Sequence, residues 1–119
     1  MEIYIKNPNI NFFNFYGSTE VTPWIFFHKC KIEDVSKYED YGYAPIGKCI
    51  EGNEITITEE NLLLVRGSQV TLGYYGQEGT SHLIDYKQKK WFSMGDVVQK
   101  IDDIYLCKGR LDGQIKLNG

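Results

Sequence analysis

Residues 54–65 read EITITEENLLLV, and this stretch indicates the fold most directly. Two short runs within it, Glu54 to Thr58 and Leu62 to Val65, consist largely of β-branched and aliphatic residues, and the polar residues between them end at Asn61. Short apolar runs separated by Asn, Gly or Asp are typical of strands joined by turns. Both runs are therefore predicted to be strands, with Asn61 in a turn.

The same pattern continues on both sides of this stretch. Three further runs are predicted to be strands: Trp24 to Ile32, Ile104 to Lys108, and Gln114 to Leu117. Turn signals are supplied by Gly67 and by the pair Asp102-Asp103. Sustained helical periodicity is hard to find, so the predicted fold class is mainly β with a few short helical turns.

Two polar stretches interrupt the strand pattern. Lys31 to Tyr43 carries four acidic side chains among three tyrosines, and it is expected to be a polar loop or a short helix. Gln77 to Tyr86 is expected to be one helical turn followed by a loop.

The composition is that of a globular chain with one core. Of 119 residues, 42% are hydrophobic and 24% are charged. The net charge is -3, and the basic residues are scattered apart from Lys87, Lys89 and Lys90, which are expected in a solvated turn. No nucleic-acid partner is therefore expected. No apolar run reaches membrane-spanning length and no secretory signal is evident, so no membrane contact and a cytoplasmic location are expected.

The cysteines and histidines do not form a metal-site pattern. Cys30, Cys49 and Cys107 are far apart, odd in number and without CxxC spacing, and they are expected to be reduced thiols. His28 and His82 are isolated in the sequence and are expected to be packing or surface residues.

Four segments stand out by their composition and order. They are Asn14 to Glu20 (NFYGSTE), Asn61 to Tyr75 (NLLLVRGSQVTLGYY), Trp91 to Asp96 (WFSMGD) and Gly109 to Gly119 (GRLDGQIKLNG). In this order they resemble the motifs NxYGxTE, GELxVxGxxVxxGYY, WFxTGDL and GRxDxQxKxxG of amino-acid adenylation domains. The last segment is especially similar to D-alanine:carrier-protein ligases and to nonribosomal peptide synthetase adenylation domains. The resemblance covers nearly the whole chain, and it implies a distorted β-barrel subdomain.

The resemblance of NFYGSTE implies an ATP site. An aromatic face suits adenine, hydroxyls suit phosphate, and a carboxylate suits Mg²⁺. Thr19 and Glu20 are the implied catalytic residues, with Thr19 on a phosphate and Glu20 holding Mg²⁺. The implied nucleotide-binding residues are Asn14 at the adenine amino edge, Tyr16 stacking on adenine, Gly17 in a tight turn, and Ser18. Taken alone, the seven residues equally suit an ordinary strand that ends in a turn.

The other segments imply the rest of the site. Asp96 would bind the ribose diol and Arg110 the ribose or a phosphate, although Met94 replaces a threonine of the family motif. Asp112 would be the hinge to a mobile lid. The segment 61–75 is implied to be mainly structural. Its alignment with the family motif is supported by residues 44–48 (APIGK), which are similar to a family turn. The family's Gly-Glu pair is replaced here by Glu60-Asn61.

The resemblance also implies a substrate pocket. Phe15, Pro23 and Trp24 match positions that line the acyl pocket of the family. Phe15 and Trp24 are bulky, which favours a small or flat amino acid.

The implied organisation has three parts. Residues 1–20 would end a nucleotide-binding subdomain, 21–108 would form the β-barrel subdomain, and 109–119 would begin the hinge to a C-terminal lid. Neither a phosphate loop upstream nor a lid lysine downstream is found, so the chain is expected to be a fragment that is inactive alone. Its apolar N-terminal strand, Met1 to Phe15, is expected to promote self-association.

The parent protein would therefore use ATP, Mg²⁺ and an amino acid. It would form an aminoacyl-AMP and pass the aminoacyl group to the phosphopantetheine thiol of a carrier protein. Two alternatives remain open from the sequence: a stand-alone β-barrel module that binds a ligand without catalysis, and a degenerate remnant with an interaction or structural role.

Overall fold

The computed structural model describes residue 7 and residues 9–77 and 82–111. The strands are β1 (Phe12–Tyr16), β2 (Phe26–Cys30), β3 (Pro45–Cys49), β4 (Asn53–Ile57), β5 (Leu62–Gly67), β6 (Ile84–Tyr86), β7 (Lys89–Ile101) and β8 (Ile104–Arg110). The helical elements are α1 (Glu33–Tyr38) and two 3-10 turns, Thr19–Val21 and Glu39–Tyr41. The predicted strand Gln114 to Leu117 and the predicted hinge residue Asp112 lie outside the described residues, as do residues 1–6 of the N-terminal run.

The strands form one antiparallel sheet. Its order is β1-β2-β3-β8-β7-β5-β4, and β6 pairs separately with β7. The prediction of a mainly β fold with short helical turns is confirmed. Buried residues from β1, β2, β3, β5 and β7 belong to one core cluster. Since a flat sheet could not bring its two ends to a common core, the sheet curls around these side chains.

Four predicted strands are confirmed with small changes at their ends. These are β2, β4, β5 and β8, and β4 and β5 form the antiparallel pair expected from residues 54–65. Asn61 adopts a positive φ of 64° in the connection between them, as a turn residue should. The stretch Lys31 to Tyr43 contains α1 and the second 3-10 turn, which confirms the short helix.

Two local predictions were wrong. Residues 44–48 were expected to form a turn, but Pro45–Cys49 is strand β3, which lies between β2 and β8. Residues 84–86 were expected in a loop, but they form β6, because the turn at Lys87 and Gln88 folds them back onto β7. Both residues of that turn have positive φ. The expected lysine turn is confirmed at Lys87, whereas Lys89 and Lys90 are exposed but begin strand β7.

The cysteines and histidines behave as ordinary structural residues. All three cysteines are free thiols and are partly buried. The His28 Nε2 atom lies 2.8 Å from the Asp34 carboxylate, and the His82 Nε2 atom lies 2.8 Å from the Thr71 carbonyl oxygen. Within the described ranges, no group of three or more His, Cys, Asp or Glu side chains could hold a metal ion. In the same ranges, no helix is long and apolar enough to cross a membrane.

The close approach of β2 and β3 depends on Gly47. A Cβ atom at this position would lie 1.9 Å from the Phe27 carbonyl oxygen, a distance that no backbone could accommodate without moving a strand. Gly47 also has a positive φ of 86°, next to a register shift between Pro45 and Gly47. The shift explains how a proline is tolerated in a strand with neighbours on both sides.

Gly47→Ala should therefore destabilise the chain far more than Gly42→Ala. Gly42 has a similar φ of 73°, but a Cβ atom added there would meet no other atom within 4 Å, so its substitution carries only the left-handed backbone cost of about 1 kcal/mol. Gly47→Ala adds a clash between strands, and we expect a loss of about 3 kcal/mol or failure to fold. Denaturant unfolding of both variants measures the difference. Equal losses would show that the clash is absent.

Candidate functional site

Strand alternation in β7 points the Asp96 side chain toward the core, on the same face as Met94 and Val98. The pairing of β7 with β5 shifts register between Leu62 and Leu64, and its pairing with β8 shifts between Val97 and Val98. Gly95, immediately before Asp96, has a positive φ of 74°. Bulges of this kind bend a strand locally, and here the inward and outward alternation continues through them. Asp96 is only 3% exposed.

Asp96 and Tyr16 form a buried hydrogen-bonded pair. The Tyr16 hydroxyl donates to the Oδ2 atom of Asp96, across 80 residues of sequence. Burial raises the pKa of the Tyr16 hydroxyl far above its ordinary value, and the hydrogen bond to Asp96 acts in the same direction. Tyr16 therefore stays protonated and keeps donating to the carboxylate. Its ring packs edge-on against Phe26, at 5.8 Å between centroids.

Arg110 lies over Gly95, at the end of β8. A Cβ atom on Gly95 would lie 2.8 Å from the Nη2 atom of Arg110, so the guanidinium would have to shift if Gly95 were replaced. The Nη1 atom of Arg110 donates to the Met94 carbonyl at 3.4 Å, and the Leu111 amide donates to the Gly95 carbonyl at 2.8 Å. Arg110 therefore lies beside the Met94 to Asp96 segment, at the edge of the site.

The residues after β1 form a tight loop that we call the site loop, residues 17–24. A Cβ atom on Gly17 would lie 2.0 Å from the Pro23 carbonyl oxygen, so the two ends of the loop touch at this glycine. The Ser18 Oγ atom is buried and has no hydrogen-bond partner within bonding geometry among the described residues, although its hydroxyl is near enough to help lower the pKa of Glu20. Thr19 is exposed in the 3-10 turn that follows. The loop therefore carries two neighbouring hydroxyls, those of Ser18 and Thr19, beside Glu20.

Glu20 is held by residues of the β5–β6 connection. The Tyr74 hydroxyl donates to the Oε1 atom of Glu20 at 2.7 Å, and the Thr71 amide donates to the Glu20 carbonyl at 2.8 Å. The hydrogen bond from Tyr74 lowers the pKa of the Glu20 carboxyl, so Glu20 is ionised at neutral pH. Tyr74 in turn packs edge-on against His82, with 6.0 Å between centroids.

The predicted pocket residues form an exposed aromatic surface. The rings of Phe15 and Trp24 lie 4.8 Å apart, and both side chains are about half exposed, at 48% and 51%. Pro23 is also exposed beside them. Asn14 faces the other side of β1, where its Nδ2 atom donates to the Pro45 carbonyl at 2.8 Å. The strand alternation therefore separates Asn14 from the aromatic pair.

Residues of all four sequence segments thus contribute to this region. The site loop, the Met94 to Asp96 bulge and Arg110 lie together, and the 61–75 segment reaches them through Tyr74. A separate open groove of about 450 Å³ is lined by Arg66, Thr71, Leu72, His82 and Lys90 among others, and its lining contains none of the predicted site residues.

Sequence reasoning missed two residues of this region. Tyr74 belongs to a segment that was interpreted as structural, yet its hydroxyl binds the predicted metal carboxylate. The side chain of Gln69 binds the site loop directly, by donating to two backbone carbonyls of the loop. The tyrosine within GYY was a usable signal because a hydroxyl-bearing aromatic seeks a partner. For Gln69 the sequence carried no signal, since its partners are backbone carbonyls distant along the chain.

Comparisons with known proteins agree with the four segments. No protein-family model matches the chain. Over 114 residues it is 32% identical to a D-alanine--D-alanyl carrier protein ligase of Staphylococcus epidermidis, a match that covers 94% of this chain and 23% of that ligase. The resemblance to adenylation enzymes is thereby confirmed along nearly the whole chain. The chain spans about a quarter of the length of the relatives that it matches.

Solved structures show the same fold. The structure of McyG A-PCP complexed with phenylalanyl-adenylate matches with a TM-score of 0.71 and 25% identity, over 99% of this chain and 23% of that one. PA1221, a nonribosomal peptide synthetase protein containing adenylation and PCP domains, matches with a TM-score of 0.79 and 24% identity, over 98% of this chain and 26% of that one. The mainly β architecture is therefore that of one region of a much longer fold.

Tyr16→Phe should destabilise the chain by about 2 kcal/mol, because it leaves the buried Asp96 carboxylate without this donor. The control is Tyr75→Phe, since Tyr75 is fully exposed and its loss of a hydroxyl should change nothing measurable. Urea denaturation of both variants provides the free energies of unfolding. If Tyr16→Phe is as stable as the wild type, the hydrogen bond from Tyr16 to Asp96 does not contribute to the free energy of unfolding.

Tyr74→Phe should raise the pKa of the Glu20 carboxyl toward its ordinary value, whereas Tyr75→Phe should leave it unchanged. A lowered carboxyl pKa stabilises the fold above the unfolded-state pKa, and this contribution disappears as the pH falls through the folded-state pKa. The variant should therefore lose stability at neutral pH and not in acid. Carboxyl ¹³C NMR measures the pKa, and thermal melting at several pH values measures the stability. An unchanged Glu20 titration would exclude the hydrogen bond.

Proposed function

Because the chain matches one segment of amino-acid adenylation enzymes in sequence and fold, we propose that it is part of an ATP-dependent amino-acid-activating ligase. The parent protein forms an aminoacyl-AMP and pyrophosphate, then passes the aminoacyl group to the phosphopantetheine thiol of a carrier protein. The observation that carries the proposal is spatial. Residues of three segments that are far apart in the sequence come together at the site loop, the Gly95-Asp96 bulge and Arg110.

The residues around Glu20 suit Mg²⁺. Mg²⁺ is commonly bound in proteins by one or two carboxylates together with substrate phosphates, and it does not require a cage of protein ligands. Glu20 is a half-buried carboxylate whose lowered pKa keeps it charged, and Tyr74 directs one of its oxygens while the orphaned Ser18 hydroxyl lies nearby. When bound there, Mg²⁺ would offset the charge of the phosphates.

The site loop provides oxygen donors for the nucleotide. Thr19 and Ser18 carry hydroxyls that can donate to phosphate oxygens, and the close approach at Gly17 keeps the loop compact. Arg110 adds a positive charge that suits a phosphate or the ribose. These four residues are proposed to bind the phosphate side of ATP.

Asp96 and Tyr16 are proposed to act together on the ribose side. A carboxylate accepts hydrogen bonds from two neighbouring hydroxyls, and the Tyr16 hydroxyl orients Asp96 through its Oδ2 atom. Tyr16 is only 7% exposed, so orienting Asp96 is its most direct role in this chain. Stacking of adenine on Tyr16, and the contact of Asn14 with the adenine edge, stay predictions.

The aromatic pair of Phe15 and Trp24, together with Pro23, is proposed to line the amino-acid pocket. Two bulky rings 4.8 Å apart leave space for a small or flat side chain beside them. The relative from Staphylococcus epidermidis is a D-alanine--D-alanyl carrier protein ligase, and a small amino acid such as alanine is consistent with this wall of the pocket.

The remaining parts of the proposal follow from the same match. Residues 1–20, 21–108 and 109–119 are proposed to be the end of a nucleotide-binding subdomain, the β-barrel subdomain and the start of a hinge at Asp112. A cytoplasmic location is proposed because ATP is plentiful there. Self-association through residues 1–15 stays a prediction, and the exposed ring of Phe13 supports it.

The test is amino-acid-dependent exchange of pyrophosphate into ATP. The full-length product of the reading frame that encodes this chain should exchange with one or a few amino acids from a panel, and residues 1–119 alone should not. In the full-length product, Glu20→Gln should lower exchange about 100-fold, as expected for removal of one charge that stabilises the transferring phosphoryl group. Glu51→Gln is the control, because Glu51 is exposed in the β3–β4 turn.

Two results would contradict the proposal. Exchange by residues 1–119 alone would show that the site is complete without further segments. A full-length product that binds an ATP analogue in equilibrium dialysis but exchanges with no amino acid would favour the alternative of a ligand-binding module without catalysis.

A further inference from the structure

The site loop has little regular structure of its own, and its shape depends on bonds to other segments. The 3-10 turn Thr19–Val21 is its only regular element within the described chain. Beyond its end, the Ile25 amide donates to the Tyr16 carbonyl at 2.8 Å, which closes the loop at its base. The amides of Val21 and Thr22 donate back to the carbonyls of Ser18 and Thr19 within the loop. The carbonyls of Val21 and Trp24 are bound instead by the side chain of Gln69.

Gln69 contacts the site loop at three points. Its Nε2 atom donates to the Trp24 carbonyl at 2.9 Å and to the Val21 carbonyl at 3.4 Å. The Thr22 hydroxyl donates to the Gln69 carbonyl at 2.8 Å. Thr22 itself has a positive φ of 49°, which is uncommon for a threonine and indicates that neighbouring bonds hold it in place. One residue from a distant segment therefore binds the second half of the loop at both of its ends.

Gln69 is in turn fixed by Asn53. The Asn53 Nδ2 atom donates to the Gln69 Oε1 atom at 2.6 Å, and the Gln69 amide donates to the Asn53 Oδ1 atom at 3.4 Å. With its oxygen accepting from Asn53, the Gln69 side chain must direct its NH₂ group at the two loop carbonyls. Gly67 leaves room for this arrangement, because a Cβ atom there would lie 2.6 Å from the Asn53 Oδ1 atom.

We propose that Gln69 is a positioning residue that fixes the backbone at Trp24, and with it the Phe15–Trp24 aromatic pair on which the amino acid is selected. The selection part rests on the proposed function, whereas the positioning part rests on geometry alone. Trp24 is half exposed, so burial does little to place its indole. Its backbone packs against Gly17, its carbonyl accepts the hydrogen bond from Gln69, and its ring contacts Phe15.

The sharpest variant is Gln69→Glu. It keeps an acceptor for Asn53 and nearly the same shape, but it replaces the NH₂ group with a carboxylate oxygen. This oxygen cannot donate to the Trp24 and Val21 carbonyls and is repelled by them. Gln69→Ala removes the side chain without adding a charge and serves as the second variant. Ser68→Ala is the matched control, because Ser68 is the exposed neighbour of Gln69.

Fluorine NMR of this chain labelled with 5-fluorotryptophan reports on the loop without any activity assay. The chain contains two tryptophans, and Trp24→Phe assigns their resonances. Trp91 is buried in β7 and donates its indole N–H to the Tyr86 carbonyl at 3.0 Å, so it reports on the integrity of the sheet. We expect Gln69→Glu and Gln69→Ala to shift or broaden the Trp24 resonance and to leave the Trp91 resonance in place. Ser68→Ala should move neither.

An unchanged Trp24 resonance in folded Gln69→Glu and Gln69→Ala would overturn the positioning role. If Gln69→Glu moves both resonances to the values of unfolded chain, Gln69→Ala decides, since it adds no repulsive charge. If the full-length product shows no exchange activity, the proposed function fails and the fluorine result still decides whether Gln69 positions Trp24.

In a full-length product with exchange activity, Gln69→Ala should raise KM for the amino acid about tenfold, the effect of losing one hydrogen-bonded anchor, while kcat and KM for ATP change less than about threefold. A merely structural role would instead lower the amount of active enzyme and leave both KM values alone. A displaced Trp24 resonance combined with an unchanged amino-acid KM would overturn the link between Gln69 and selection.

Discussion

The hydrogen bond from Tyr16 to Asp96 is the interaction on which the rest of this region depends. It joins the end of β1 to the irregular part of β7 and satisfies one oxygen of a carboxylate that is almost completely buried. A buried carboxylate without donors would be strongly unfavourable. The buried position of Asp96 therefore requires a donor such as the Tyr16 hydroxyl beside it. Since Gly17 follows Tyr16 directly, the same bond determines where the site loop begins.

From that starting point, the β5–β6 connection determines the course of the site loop. Gln69 binds the carbonyls of Val21 and Trp24, and the Thr71 amide and Tyr74 hydroxyl bind Glu20. All of these donors lie within six residues of one another in the sequence, between Gln69 and Tyr74, in the connection that follows β5. A segment that reads as a structural motif thus orients both the carboxylate proposed for Mg²⁺ and the aromatic pair proposed for the amino acid.

The sequence indicated the fold class and several strands because short apolar runs and the turn-forming residues between them are local properties of the chain. Residues 54–65 predicted β4, β5 and the turn at Asn61 correctly. The pattern failed at β3, where Pro45 and Gly47 resemble a turn, because a register shift lets a strand keep both residues. It also failed to show that β7 extends over thirteen residues, because Gly95 and Asp96 interrupt its apolar run and the bulge that accommodates them arises only from pairing with β5 and β8.

By itself, the sequence determined which residue types are present at which spacing, and so the resemblance to adenylation enzymes and the choice of Glu20, Asp96 and Arg110 as candidates. Tertiary structure alone decided how these residues are held: Asp96 buried against Tyr16, Arg110 over Gly95, and Glu20 bound by Tyr74. It also revealed Gln69. The physical reason is that a hydrogen bond acts over about 3 Å in space and is indifferent to separation along the chain, so partners dozens of residues apart, some of them backbone carbonyls, leave no pattern in the order of the amino acids.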